Sequence, residues 1–337
     1  MSKLKQLLIL SFCAVTLFSA CSKNENPQED EPDTDPHTSI IISGGKFKPN
    51  SNGWNDSIPT YWVDGIEKQL SNSKINRQWA NSSAIAISKA GKIHFIASGW
   101  VDNGIVSQYW IDGTEQTLPL SLGGFVRYTA ATVQDEKFHV IGTQINDDKY
   151  WIDGVAQSFP NVEAFSDISL SADGNSVGIA GRSTSGSAVS IVKGVTAEIP
   201  GRISADKIAI NQGGVYIVGI QFEDTAPYSL KYWVAGVKHD LPHSSHDFAR
   251  SALVVSNGKV HIIAELYGSS TTYKYWIDGI EQSLPTGVTG LKDITAFEGK
   301  IYILGSASGQ PAYWIDGVAH DFPAAMDYAN KIIVVRK

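Results

Sequence analysis

One pentapeptide recurs along most of this chain and restricts what the chain can fold into. Tyr-Trp-Ile-Asp-Gly occupies residues 109–113, and related copies are found further along in both directions. They begin at Tyr61, Tyr109, Tyr150, Tyr232, Tyr275 and Tyr313, with a degenerate copy at Ser190. Successive copies lie 38 to 48 residues apart. Self-similarity at this interval indicates one supersecondary unit repeated many times, not a single unique core.

Each copy of the pentapeptide predicts a β-hairpin. Asp-Gly between apolar residues favours a type I′ turn, which needs two residues with positive φ. A second hairpin precedes the copies, as in Asp293–Gly305, where Glu298-Gly299 forms the turn and both arms are rich in β-branched residues. Each repeat therefore contains four strands.

Four strands in a unit of 40 to 50 residues are typical of a β-propeller blade. The copies predict seven blades, and the chain begins in the middle of one of them. Ser39–Gly44 matches the second strand of a blade, and Ile332–Arg336 supplies the missing first strand. The sequence thus predicts an all-β fold over residues 38–337, a seven-bladed β-propeller with one blade shared between its N- and C-terminal strands.

These repeats resemble those of secreted bacterial propellers whose blades carry a Tyr/Trp-x-x-Asn/Asp-Gly hairpin, and more broadly the WD40 and kelch classes. The resemblance covers residues 38–337 and implies the fold. It implies no activity common to the whole group.

The first twenty residues are predicted to be an export signal. Lys3 and Lys5 precede an apolar run, Leu7–Phe18, which is too short to span a bilayer as a stable helix, and Ser19-Ala20 provides a small-residue cleavage site. The ending Leu-Phe-Ser-Ala-Cys resembles a bacterial lipobox. That resemblance implies that residues 1–20 are a lipoprotein signal peptide and that Cys21 is lipidated; an ordinary secretory signal is the alternative.

Residues 21–37 follow as a predicted disordered acidic tether. Residues 22–37 carry six acidic residues, one lysine and three prolines, a composition that does not form a packed core. An acidic tether behind a lipidated cysteine resembles lipoproteins of Bacteroidota. The resemblance implies anchoring to the outer membrane through Cys21, with the surface-exposed and the periplasm-facing orientations both open.

Charge and motif content exclude several function classes. Removing Lys3 and Lys5 with the signal takes the formal net charge from −7 to −9, of which the tether carries five and the propeller only about four. That balance argues against nucleic acid as a partner. Phosphate-binding, dinucleotide-binding, calcium-binding and nucleophile-elbow motifs do not occur in the sequence, so we expect no cofactor.

The histidines are interpreted mainly as packing residues. His94, His139 and His261 share one repeat position with Tyr216 and Tyr302. His243 and His246, followed by Asp247, form a weak metal-binding pattern, but zinc sites require three or four converging ligands. We therefore expect no metal site.

Three tryptophans outside the repeats are the main candidates for ligand binding. Trp54, Trp79 and Trp100 fall in connections at one rim of the propeller, here called the top, where second strands join third strands and fourth strands join the next blade. Polar candidates beside them are Asp56, Arg77, Asp102 and Asn103. Aromatic faces flanked by amide and carboxylate groups suit a carbohydrate. Packing of these indoles over the rim is the alternative.

Two further sets of residues are predicted at the top. Weaker surface candidates are Arg127, Tyr128, Phe222, Glu223, Phe248 and Arg250. A polar ring at the mouths of the inner strands is predicted to face the central channel and comprises Ser83, Thr129, Asp167, Ser251 and Asp293. Such a ring could contain a carboxylate pair for hydrolysis or elimination.

Three functions remain open from the sequence. We favour a non-catalytic, lipid-anchored module that binds a glycan or a protein through its top loops. A polysaccharide lyase or glycoside hydrolase using top-face carboxylates is the enzymatic alternative. The third possibility is an assembly scaffold in an envelope complex.

Overall fold

A computed structural model describes residues 38–337 except 50–54, 76–81, 102–103, 119–125, 145–146, 223–227 and 323–325. The described residues all belong to one compact unit, Asp35–Lys337. Cys21, the signal segment and the acidic tether lie outside them. In the part of the chain that is described, no helix has the length and apolar character needed to cross a membrane.

The described residues form 28 strands in seven four-stranded antiparallel sheets, which confirms the predicted fold class. In chain order the strands are β1 (Thr38–Pro49), β2 (Asn55–Val63), β3 (Ile66–Lys68), β4 (Ser82–Ile87), β5 (Ile93–Val101), β6 (Gly104–Ile111), β7 (Thr114–Gln116), β8 (Val126–Gln134), β9 (Lys137–Gln144), β10 (Asp147–Ile152), β11 (Val155–Gln157), β12 (Val162–Leu170), β13 (Val177–Ser183), β14 (Ala188–Val192), β15 (Val195–Ile199), β16 (Ile203–Asn211), β17 (Gly214–Gln221), β18 (Tyr228–Val234), β19 (Val237–His246), β20 (Phe248–Ser256), β21 (Lys259–Tyr267), β22 (Thr272–Ile277), β23 (Ile280–Gln282), β24 (Val288–Phe297), β25 (Lys300–Ala307), β26 (Gln310–Ile315), β27 (Val318–Asp321) and β28 (Tyr328–Arg336).

Blade 1 combines both ends of the propeller. Its order from the channel outward is β28, β1, β2, β3, and blades 2 to 7 take the remaining strands four at a time in chain order, from β4–β7 to β24–β27. In blade 1 the register pairs Ile42 with Ile332 and Thr38 with Arg336. The predicted shared blade is therefore present, and it closes the ring.

The Asp-Gly turns have the predicted type I′ geometry. At Asp153 and Gly154 the φ angles are 47° and 78°, and the other Asp-Gly copies have similar values. The Oδ1 atom of each aspartate also accepts a hydrogen bond from a backbone N–H near the start of the second strand of the same blade. Asp153, for example, accepts from the Phe138 N–H at 2.8 Å. Each turn thus joins three strands at the lower rim, opposite the top.

The Tyr-Trp pair packs each blade against both of its neighbours. All six motif tryptophans are at most 2% exposed. Trp110 clusters with Tyr61 and Ile75 on the side of blade 1, whereas the adjacent Tyr109 stacks on Phe138 of blade 3 with ring centroids 5.0 Å apart. Replacing a tryptophan buried in this way by alanine typically costs ~3–5 kcal/mol.

The three aligned histidines occupy buried packing positions, as predicted. The Nδ1 atoms of His94, His139 and His261 lie 2.5, 2.6 and 2.7 Å from the hydroxyl of the motif tyrosine in the same blade. Burial lowers the pKa of each of these imidazoles. These three histidines therefore have a structural role in the interior of their blades.

Five of the seven innermost strands contain a β-bulge near their top end. Each of these five strands has one bulge at the same place in the blade, and its extra residue is Thr129, Ser166, Asp206, Lys292 or Asn330; β12 and β24 contain a second bulge nearer the top, at Glu163 and Thr289. A glycine on the second strand stands opposite each of the five equivalent bulges: Gly44, Gly142, Gly181, Gly219 and Gly305. A Cβ atom at these glycines would lie 2.0–2.6 Å from a carbonyl oxygen of the bulged strand. The two blades without this bulge have Ala97 and Ala264 at the same position.

Candidate functional site

The innermost strands enclose a central cavity of about 690 Å³. Four members of the predicted polar ring line it, Ser83, Thr129, Asp167 and Asp293. The fifth, Ser251, donates a hydrogen bond to Asp206 Oδ2 at 3.1 Å. Four of the five predicted ring residues therefore line the cavity.

Asp167 and Asp293 both tie their blade to the next one. Asp167 accepts hydrogen bonds from the Ile208 N–H at 3.0 Å and from Lys207 Nζ at 3.2 Å. Asp293 accepts from the Ile332 N–H at 3.0 Å. In both cases the donor N–H belongs to the second residue after a bulge. Their carboxylates thus satisfy backbone groups of the neighbouring blade.

Asp206 and Glu265 complete a series that the sequence analysis missed. Burial raises the pKa of Asp206 to about 7, against the opposing effects of the Ser251 hydrogen bond and Lys207. Glu265, 4% exposed, accepts hydrogen bonds from the Leu291 N–H at 2.9 Å and from the Tyr267 hydroxyl. Carboxylates therefore cross four consecutive blade interfaces, from blade 4 round to blade 1.

The charges at the channel mouth are confined to one side. Lys207, Lys292 and Lys331 line the cavity beside the acids of blades 4 to 7, and Asp167 raises the pKa of Lys207. Blades 2 and 3 contribute only small side chains at the same level, Ser83, Ala84, Thr129 and Ala130. Because acids and lysines alternate, the charged side is close to neutral and its polar groups are largely satisfied internally.

The main ligand-binding candidates are only partly described. Trp54, Arg77, Trp79, Asp102 and Asn103 lie outside the described residues.

The two candidates that are described lie on strands. Trp100 lies on β5, opposite Ile105 of β6, and Asp56 lies on β2, opposite Lys48 of β1. This corrects the prediction that they belong to loops, because the β5–β6 and β1–β2 pairings continue further toward the top than their polar composition indicates. Both nevertheless lie at the top ends of their strands.

Phe47 adds an exposed aromatic ring to the same rim. It is 47% exposed and lies on β1, shortly before the connection that ends in Trp54. Its ring centroid lies 5.4 Å from that of Tyr328, whose hydroxyl is 2.5 Å from Ser57 Oγ. Tyr328 lies across Gly45, where a Cβ would be 2.2 Å from the tyrosine hydroxyl. The glycine is the sequence signal that could have identified this platform.

A second exposed ring lies on blade 6. Phe248 is 53% exposed, and its ring centroid lies 5.6 Å from that of Tyr267. The Arg250 guanidinium lies over the same tyrosine, 5.8 Å from the ring centroid. Two of the weaker candidates, Phe248 and Arg250, are thus adjacent on the top rim.

The other weaker candidates are dispersed. Phe222 packs edge-on against Tyr228 at 5.1 Å in blade 5, and Arg127 is exposed on β8. Tyr128 is only 4% exposed, because its side chain points into the blade 2–3 core, so the prediction of a surface role is wrong. Glu223 lies outside the described residues.

The two histidines of the weak metal pattern have separate partners. His243 Nδ1 lies 2.6 Å from Glu281 Oε2 at the surface, whereas the buried His246 directs Nδ1 to the Ser244 carbonyl oxygen at 2.6 Å. Over the described ranges, no three His, Cys, Asp or Glu side chains are grouped so as to hold a metal ion.

Comparisons with known proteins support the fold alone. No protein-family model matches the chain, and no curated protein matches it in sequence. Among solved structures, a puromycin-hydrolyzing peptidase of Mycobacterium tuberculosis is similar with a TM-score of 0.56 and 8% identity, over 86% of this chain. The chain spans about half of that peptidase, 52%.

Two smaller structures are matched over nearly their whole length. The β-propeller domain of the Trilobed protease from Pyrococcus furiosus gives a TM-score of 0.51 at 12% identity, over 85% of this chain and 93% of that domain. A putative 6-phosphogluconolactonase from Bacteroides uniformis gives 0.50 at 12% identity, over 89% and 99%. At these identities the similarity concerns the propeller fold.

Proposed function

We propose that this protein is a lipid-anchored module of the bacterial cell envelope that binds a glycan through its top rim without catalysing a reaction. The observation that carries the proposal is the pair of rings formed by Phe47 and Tyr328, here called the Phe47 platform. It presents an exposed aromatic face on the same rim as the end of β5, where Trp100 lies.

The platform is held in place before any ligand arrives. The Phe47 N–H donates to Asp327 Oδ2 at 2.6 Å, and the Asp327 N–H donates to the Gly45 carbonyl oxygen at 3.1 Å. A ring that is already ordered loses little conformational entropy on binding, so a larger share of the contact energy becomes affinity. Stacking on a sugar face is the use that best fits an ordered, half-exposed phenyl ring.

The channel acids support binding over catalysis. A general base or nucleophile needs an available carboxylate oxygen near the reacting atom. Asp167 and Asp293, the residues that the enzymatic alternative requires, are instead engaged with the N–H groups of Ile208 and Ile332. Both oxygens of Asp167 and the Oδ2 atom of Asp293 thus serve contacts that hold neighbouring blades together, which is a structural role.

Lipidation at Cys21, after removal of residues 1–20, would place the propeller at the outer membrane. Residues 21–37 would then act as a flexible tether, with an average span of about 20–25 Å for a chain of this length. The substitution Cys21→Ser should move the protein from the membrane fraction to the soluble fraction. Retention in the membrane fraction would contradict the anchor.

The test is a glycan-array screen of residues 22–337, followed by titration of the best ligand. Phe47→Ala, Trp54→Ala, Trp79→Ala and Trp100→Ala should each weaken binding at least several-fold while melting like the parent. The matched control is Ile66→Ala, which removes a 64% exposed apolar side chain from the opposite rim.

Other outcomes decide between the remaining functions. Early melting of the tryptophan variants would assign the indoles to packing. A protein that co-purifies with the parent and is lost from the Phe47 variant would favour the scaffold. Turnover of a glycan that disappears in Asp167→Asn or Asp293→Asn, with folding retained, would favour the enzyme.

A further inference from the structure

The top of blade 6 combines an exposed ring with a guanidinium group. Phe248 and Arg250 lie two residues apart on β20, so their side chains leave the same face of the sheet, about 7 Å apart along the strand. Their register partners on β21 are Tyr267 and Glu265. These four side chains form one continuous surface, here called the blade 6 platform.

Arg250 is positioned by an aromatic ring instead of by a carboxylate. Glu265 stands opposite it in the register, yet the guanidinium lies over the Tyr267 ring, two residue pairs nearer the rim. The Arg250 guanidinium contacts the Tyr267 ring through a cation–π interaction, and Arg250 is exposed. A planar guanidinium offers five N–H donors, which remain available for a planar or tetrahedral anion.

Glu265 does not neutralise this arginine. Its carboxylate is 4% exposed, accepts from the Leu291 N–H and the Tyr267 hydroxyl, and has Lys292 Nζ 3.8 Å away. The Tyr267 hydroxyl is itself fixed by this contact, so the ring beneath Arg250 has a defined orientation. The exposed part of the blade 6 platform therefore places the Arg250 guanidinium next to an apolar face, with the exposed Asp247 preceding Phe248 in the chain.

The Phe47 platform has no comparable arginine contact among the described residues. Its backbone N–H is held by Asp327, and Lys46 and Lys48 flank it in the chain, so charged groups of both signs lie near this ring. The guanidinium beside Phe248 is therefore the feature that distinguishes blade 6.

We propose that the blade 6 platform binds an acidic sugar residue, with the pyranose stacked on Phe248 and its carboxylate or sulfate held by Arg250. This rests on the proposed glycan-binding function and specifies a class of ligand. The separation of ring and guanidinium along the strand corresponds to a sugar ring and an anionic substituent on it. A charge-assisted, two-pronged contact of this kind discriminates strongly against neutral sugars.

The experiment compares two probes that differ only in the acid group. A tetramer of galacturonic acid and the galactose tetramer of the same linkage are titrated calorimetrically into residues 22–337, with that galactose tetramer sulfated at O6 as the sulfate probe. We expect an acidic probe to bind about tenfold or more tightly than the neutral one. We also expect its affinity to fall as sodium chloride is raised. Whether the carboxylate or the sulfate probe binds tighter identifies the natural anion.

Variants assign the effect to this platform. Arg250→Gln and Phe248→Ala should each weaken the acidic probe about tenfold, and Arg250→Lys should recover only part of the loss because a lysine cannot form a two-pronged contact. The matched control is Arg182→Gln, which changes an exposed arginine already ion-paired to Glu163 at 2.8 Å. It should leave binding unchanged, and all variants should melt like the parent.

The outcomes separate this proposal from the one on which it rests. Equal affinity for acidic and neutral probes, or unchanged binding in Arg250→Gln, would overturn the acidic-sugar site. Binding of a neutral glycan that depends on Phe47 would at the same time preserve the general function. Absence of binding to every saccharide on the array would overturn both.

Discussion

Asp167 and Asp206 stand on neighbouring blades at the channel mouth, but their surroundings give them different roles. Asp167 accepts hydrogen bonds from a backbone N–H and from a lysine ammonium of the next blade. Asp206 accepts one serine hydroxyl in a buried position, and burial dominates, raising its pKa to about 7. Asp167 therefore links its blade to the next one through hydrogen bonds, whereas Asp206 is a group that binds a proton near neutral pH.

This contrast predicts a pH-dependent effect for Asp206→Asn. The folded-state pKa of Asp206 exceeds its unfolded value of about 3.9, so the folded protein binds this proton more tightly. The resulting stabilisation is complete below pH 4 and is lost as pH rises to 7. Asp206→Asn should therefore raise the melting temperature relative to the parent at pH 8, with little difference at pH 4.

The control for that measurement is Asp167→Asn. At pH 8 it should lower the free energy of unfolding by about 1–3 kcal/mol, because an amide replaces a charged acceptor of two hydrogen bonds. Thermal unfolding at pH 4, 6 and 8 compares the two variants with the parent. Shifts of the same sign at pH 8 would contradict this assignment of roles.

A second residue-scale prediction concerns Ala235. It has a φ of 49° at a position where five of the other six blades have aspartate, and the Val215 N–H therefore lacks the carboxylate that Asp278 offers to the Val260 N–H at 2.8 Å. Ala235→Asp should stabilise the protein by about 1 kcal/mol, since aspartate tolerates positive φ better and can accept that N–H. Asp278→Ala should destabilise it by a similar amount, measured by urea unfolding. Destabilisation by both changes would refute the prediction.

At the residue scale, the sequence predicted where a side chain lies in the blade better than it predicted which groups that side chain contacts. Alignment placed Asp167 and Asp293 at the channel, but it could not indicate that their oxygens accept the N–H groups of Ile208 and Ile332. Those contacts depend on bulges that shift the register by one residue. Phe47 was missed because its exposure depends on Tyr328, which comes from the other end of the chain.

At the element scale, the bulges explain why the innermost strands differ although the outer hairpins are alike. A bulge turns the local backbone of its strand, and the facing carbonyl oxygen then occupies the space of a Cβ on the second strand. Gly219 meets the Ser204 carbonyl in this way, at 2.0 Å from where its Cβ would be. Ala264, in the unbulged blade 6, has no such restriction.

Exchanging these residues tests the relation. Gly219→Ala should destabilise the protein by about 1–3 kcal/mol or more, because the added methyl clashes with backbone that cannot move freely. The reciprocal change Ala264→Gly should cost only about 1 kcal/mol, mainly through backbone entropy and the lost methyl. Urea midpoints give both values. A Gly219→Ala variant as stable as the parent would show that the bulge is not required.

The strands themselves were largely predictable, because turn chemistry marks their lower ends. Asp-Gly turns recur at a fixed place in the blade, and type I′ geometry leaves little freedom in the strands that follow. The upper ends were less predictable: β5 continues through Gly99 and Trp100 to Val101, residues that the sequence analysis assigned to a connection. Backbone pairing within the hairpin, not residue preference, decides where that strand ends.

At the scale of the whole molecule, the ring depends on its shared blade. β28 is the innermost strand of blade 1, and Asp293 of blade 7 holds it through Ile332. Deleting residues 332–337 removes most of this strand together with that contact. We expect the loss of a single sharp unfolding transition, out of proportion to six residues, in calorimetry. Removing residues 1–34, outside the compact unit, is the control and should leave the transition intact.

The shared blade also determines when the molecule can finish folding. During synthesis β1 is made early and its inner partner last, so the pairing of Thr38 with Arg336 closes a loop of about 300 residues. Until then, the inner edge of β1 exposes unpaired backbone groups that can join to any other strand. The nascent chain must therefore be kept from premature pairing for almost its entire synthesis, and closure of the ring is a late event in time.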